Sequence, residues 1–118
     1  METEIKNLDR KEIEKIRESA NTTLKQLAPY HLLVSFINIR NIVFYKDYTV
    51  GFKFSGNRKI NWCSIHLNSS DLYDMKFYYI SKRGKKLISE YKDIFNDQLK
   101  EFFENGTGLK LSFNKEVD

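Results

Sequence analysis

Apolar residues recur at three- and four-residue spacing near the start of the chain, where Ile13, Ile16, Ala20, Leu24 and Leu27 form one stripe. That spacing puts them on one face of an α-helix and predicts a helix over residues 9–28. Asp9 is placed to cap it, and Glu12, three residues on, completes a capping box. Glu14 and Glu18 alternate with Lys11, Lys15 and Arg17 on the solvent side. Pro29, the only proline, disfavours helix at Ala28 and marks the stop. Residues 1–8, outside the cap, are expected to fray.

The pattern then turns strand-like. Residues 31–37 and 42–46 are apolar and rich in β-branched and aromatic types, with a polar break at 38–41. Val50, Phe52 and Phe54 alternate with Gly51, Lys53 and Ser55, the mark of a half-buried strand. Residues 55–58 read as a turn. The runs 60–67 and 72–80 flank a short polar turn, in which Asp71 is placed to fix the geometry through its own side chain. Lys82-Arg83-Gly84-Lys85 is a second turn, leading to a last run over 87–91. The whole predicts an antiparallel meander.

A second helix is predicted over 93–104, with Asp93 as N-cap, Asp97 in the first turn, and Phe95, Leu99, Phe102 and Phe103 on one face. Asn105 and Gly106 would end it, and Gly108 would serve the turn beyond. Residues 109–113 would return as a short extended piece, ahead of a flexible tail at 114–118. The fold class is therefore α+β: an N-terminal helix, a five- to six-stranded antiparallel meander, and a C-terminal helix packed on the sheet. At 118 residues the chain fits a single domain, large enough to carry a core without disulfides or metals.

Composition excludes some classes. Hydrophobic residues make up 41% and aromatics 14%, which excludes a disordered chain. One cysteine, Cys63, excludes an intrachain disulfide framework. No apolar run approaches the roughly 20 residues of a membrane span. Met1-Glu2-Thr3-Glu4 lacks signal-peptide character, so cytoplasmic residence with no membrane partner is expected.

Charge changes the picture more. Residues 1–28 balance six Lys/Arg against six Asp/Glu, residues 29–92 carry eleven against four, and residues 93–118 carry three against six. A basic middle suits phosphates or an acidic protein surface, and it equally suits an acidic helix packed nearby or a second copy of the chain in a homodimer.

Candidate chemistry is sparse. Cys63 and His66 resemble a nucleophile and base, but a spacing of three on a strand puts them on opposite faces. Cys63 is expected to be buried and His66 to face outward; His31, at the start of a strand, is expected to be structural. Asp71 and Asp74 are too few oxygens for a divalent cation and lack acid–base geometry. Gly106 and Gly108 follow a helix instead of preceding one, so they do not form a phosphate loop. No cofactor or metal is expected, and no catalytic residue is assigned.

The aromatics carry more promise. If Cys63, Ile65 and Leu67 face the core together with Tyr73, Met75, Phe77 and Tyr79, then Trp62, His66, Lys76 and Tyr78 share the open face, joined by Lys53. Such a face could be covered by a helix, could contact a protein, or could stack bases and hold phosphates. Lys82, Arg83, Lys85 and Lys86 form a basic finger that fits a phosphate or an acidic groove, and lysines there also keep a hairpin edge from pairing. Arg58, in the turn before the run at 60–67, extends the same charge.

Several short signals occur in a recognisable order: Leu67-Asn68, Asp71-Leu72-Tyr73-Asp74 and Phe77, then Glu90-Tyr91-Lys92-Asp93-Ile94, Asp97-Gln98-Leu99, Phe102-Phe103 and Thr107-Gly108-Leu109. Gly51-Phe52-Lys53-Phe54 fits upstream. In this order the chain resembles a group of small proteins encoded by bacteriophages and other mobile elements of bacteria. It departs from their pattern at 37–41, where small residues with glycine are usual. The resemblance implies a source, and small accessory proteins of such elements commonly act by binding. The expectation is a non-enzymatic inhibitor or modulator of a host nucleic-acid-handling protein or nucleoprotein complex, such as a defence nuclease. The alternatives are direct binding of single-stranded nucleic acid or RNA, and a homo-oligomeric structural role.

Overall fold

The computed structural model describes residues 9–111. The expected fraying at 1–8, the tail at 114–118 and the far end of the 109–113 piece lie outside that span. Helix α1 (Arg10–Leu27) is followed by α2 (Tyr30–Ile37) and by strands β1 (Arg40–Phe44), β2 (Thr49–Lys53), β3 (Trp62–Leu67), β4 (Tyr73–Ser81) and β5 (Gly84–Ile94). A 3₁₀ turn (Asn96–Gln98) then leads into α3 (Leu99–Thr107). The strands form one antiparallel sheet in chain order, β1-β2-β3-β4-β5. The α+β class holds, with five strands.

Helix α1 starts as its sequence dictates. The Glu12 amide donates to the Asp9 carboxylate at 2.9 Å, and the Glu12 side chain accepts from the Asp9 amide. Residues 31–37, expected as a strand, are instead helix α2, and His31 is an exposed helical residue. A short apolar run carries no period of its own, and its β-branched and aromatic residues argued for a strand. Pro29 decides the matter by opening a helix: its carbonyl accepts from the amides of Leu32 and Leu33. Leu33 and Ile37, one turn apart, are buried, while Tyr30 and Val34 stay exposed. Asn38 ends α2 in the left-handed region at φ 53°.

The C-terminal helix also differs from expectation. Asp93 is no N-cap: β5 pairs with β4 as far as Ile94, and Asp93 sits within it at φ 57°. Phe95 is exposed, outside the apolar face that it was expected to share. Its amide donates to the Gln98 side chain at 3.3 Å, which caps the 3₁₀ turn. Gly106 does not end α3. The helix runs to Thr107, and Gly108, at φ 75°, supplies the left-handed cap, its amide donating to Glu104. Gly106 instead makes room for packing, since a Cβ there would come within 2.6 Å of the Phe77 ring.

Every helix buries its apolar residues in one layer against one face of the sheet. Leu24 and Leu27 of α1, Leu33 and Ile37 of α2, and Leu99 and Phe103 of α3 meet Val50, Phe52, Cys63, Ile65, Met75 and Phe77. Phe103 lies at the centre, with ring centroids 5.3 Å from Phe54, 5.8 Å from Phe77 and 6.2 Å from Phe52. No described helix is long and apolar enough to cross a membrane.

Candidate binding face of the sheet

Strand alternation gives the opposite face to the other half of the residues, and antiparallel register arranges them in rows. The first row reads Lys53, Trp62, Tyr78, Leu87; the second Gly51, Ser64, Lys76, Glu90; the third Thr49, His66, Asp74. No described helix packs on these rows; all of their residues except Lys53, Gly51 and Leu87 line a concavity of about 660 Å³, together with Tyr45, Lys46, Asp47, Lys85 and Lys92.

Five of the expected site residues meet there: Trp62, His66, Lys76, Tyr78 and Lys85. The helix-covered alternative for Trp62 is thereby resolved in favour of the open face. Lys53 ends the first row beside Trp62. Arg58, Lys82 and Arg83 are exposed on the loops at the same end, outside the concavity. Lys86 pairs with Tyr79, one residue out of phase with Lys85, so it faces the opposite side.

The glycine of the second row sets the shape of the floor. A Cβ on Gly51 would lie 2.9 Å from Cζ2 of Trp62 and 3.1 Å from its Nε1. The indole therefore lies down across the β2 backbone, at a distance that only glycine permits. Tyr78 is arranged differently: the Lys85 ammonium stands 4.4 Å above its ring centre, a cation–π contact.

His66 is fixed by a 3.0 Å hydrogen bond between its Nδ1 and the Thr49 hydroxyl. Cys63, three residues away, is fully buried on the helix side, so the two form no dyad. Burial pushes the Cys63 thiol well above its ordinary pKa, which keeps it neutral. Among the described residues no group of three or more His, Cys, Asp or Glu could hold a metal ion.

The β3–β4 turn is organised by Asn68, where Asp71 was expected to do so. Its side-chain oxygen accepts from the amides of Ser70 and Leu72, and its nitrogen donates to Asp74 and Asp93. Asp74 also accepts from the Asp93 amide at 3.1 Å. These bonds tie β5 to the turn and occupy Asp74 structurally. Asp71 sits at φ 61°, a conformation that aspartate tolerates better than most residues.

Topology sorts the charges. Arg40, Lys53, Arg58, Lys59, Lys82, Arg83, Lys85 and Lys86 all fall at the end of the sheet where the first row lies, and residues 48–70 and 75–89 hold no Asp or Glu. Asp47, Asp71, Asp74 and Asp93 gather at the other end. The loop carrying Arg58 and Lys59 is held on both sides. Asn57 donates to the Thr107 carbonyl of α3, and Asn61 exchanges two side-chain hydrogen bonds with Ile80 of β4.

Comparison with protein-family models, with curated proteins and with solved structures finds no match.

Sequence reasoning missed Gly51, Tyr45 and Arg40 as parts of this face. A glycine in mid-strand is a signal of close approach and was available for Gly51. Tyr45 and Arg40 enter only through the register of β1 on β2, which no local pattern specifies.

Proposed function

We propose that this chain is a non-enzymatic accessory binding protein of a phage or mobile element. Its open sheet face docks on a host nucleoprotein, with a nucleic-acid-targeting defence complex as the leading class of target. The observation that carries this reading is the conjunction at one end of the sheet: two aromatics on an uncovered face beside eight cations with no carboxylate between them. A covered sheet would have no surface to offer, and a uniformly polar one would have little to recognise. The resemblance of its motif order to that of small mobile-element proteins supports the source. Fixed loops at the basic end favour binding, since little order has to be imposed on association.

The test is co-purification of a tagged chain from bacterial lysate beside the variant with Lys82, Arg83, Lys85 and Lys86 all changed to alanine. A nucleic-acid-handling protein retained by the wild type and lost by the variant is the expected result. Equal recovery by both would remove the basic end from the interface.

A further inference from the structure

Within that reading, and resting on it, we infer that Trp62 is a base-stacking subsite: the open face takes an exposed single strand of nucleic acid, one base lying on the indole and the flanking phosphates on Lys53 and Lys76. Gly51 presses the underside of the indole against β2, so the ring lies along the floor of the concavity instead of standing out of it. Among the described residues no other ring or cation stacks on it, whereas the Tyr78 ring already carries Lys85. Lys53 pairs directly with Trp62 across the strands, and Lys76 lies in the adjoining row.

Charge complementarity at the Trp62 end of the face, away from Asp47, Asp74 and the Glu90 that pairs with Lys76, selects the occupant. A peptide of acidic residues would satisfy the lysines but not the flat ring. A duplex would offer phosphates but keep its bases stacked inside. A single strand offers both, and stacking on an aromatic tolerates any base. The concavity of about 660 Å³ lies in the range of clefts that enclose small organic groups.

The chain has one tryptophan, so its fluorescence reports this subsite alone. The probes are a short oligothymidine and an abasic strand of equal length, titrated into the whole protein at low salt. Trp62 emission should be quenched by the first and not by the second, and the abasic strand should bind about tenfold more weakly. Gly51→Ala, which lifts the indole, should narrow that difference while leaving the salt dependence of binding in place. Equal affinity for both strands with no quenching overturns the stacking site, yet leaves a phosphate-binding face standing. Absence of binding by either strand also overturns the inference. The docking reading beneath it then stands or falls separately: a host protein that survives nuclease treatment and depends on the basic hairpin keeps it, and equal recovery by the hairpin variant removes it.

Discussion

The two faces of the sheet each set an aromatic ring against a glycine, and the two pairs behave differently. On the helix side Gly106 admits the edge of Phe77, a ring with no exposed surface, surrounded by Phe103 and Tyr91. On the open side Gly51 admits Trp62, a ring with solvent above it. The first contact closes a core in which neither partner can yield. The second lays down a floor that no described element covers. The same device serves stability where both sides are packed and recognition where one side is free.

The largest effect should come from the centre of the closed face. Phe103→Ala removes the ring that joins Phe52, Phe54 and Phe77 and should cost about 3–5 kcal/mol, read from the urea midpoint. Gly106→Ala drives a methyl into Phe77 at 2.6 Å. Overpacking should cost about 1–3 kcal/mol, partly offset by the better helix propensity of alanine. A neutral or stabilising Gly106→Ala would show that the helix side is not closed.

Alkali loads the same face. The fold holds Cys63 neutral, with a pKa above the ordinary thiol value of 9.0. Its contribution is complete below pH 9.0 and is lost as the pH rises above that value toward the folded pKa, because only the unfolded chain readily releases the proton. The stability of wild type relative to Cys63→Ala should therefore decline above pH 9.0 in parallel urea titrations. A difference that does not change with pH would place the thiol in contact with water.

Gly51→Ala sharpens the comparison. The added methyl meets Trp62 at 2.9 Å, but the half-exposed indole can rise into the concavity. The cost should stay below about 1 kcal/mol, well under that of Gly106→Ala. The reverse order of the two glycine variants would break the distinction between the faces. Smallest of all, the alanine variant of Lys82, Arg83, Lys85 and Lys86 should change stability by about 0.5 kcal/mol or less. Its effect belongs to binding, where loss of the three cations other than Lys86 should lower the salt slope for a single strand by about 2.

The layers of this fold were legible wherever a strong local signal had no competitor. The capping box at Asp9 and Glu12 and the alternation from Val50 to Phe54 both translate directly into structure. Errors cluster where tertiary contacts arbitrate. Residues 31–37 were short enough to be either element until Pro29 opened a helix. Asp93 had the composition of a cap, but pairing with β4 carried the strand through it. Gly106 stood where a cap belongs, and packing against Phe77 claimed it, leaving Gly108 to end the helix. For the site, alternation placed Trp62, His66, Lys76 and Tyr78 on one face correctly. Which face the helices cover depends on the whole assembly of α1, α2 and α3, and so does the gathering of Arg40, Lys53, Arg58 and the β4–β5 hairpin at one end.

The central claim, that the uncovered face is the binding face, is tested most directly by amide and indole NMR shifts during titration with a short single strand. The account predicts perturbations at Gly51, at the Trp62 indole N–H, at Lys76 and Tyr78, and through the hairpin at 82–86. Shifts confined to the exposed side of α2 around Tyr30 and Val34, or no shifts at all, would contradict it.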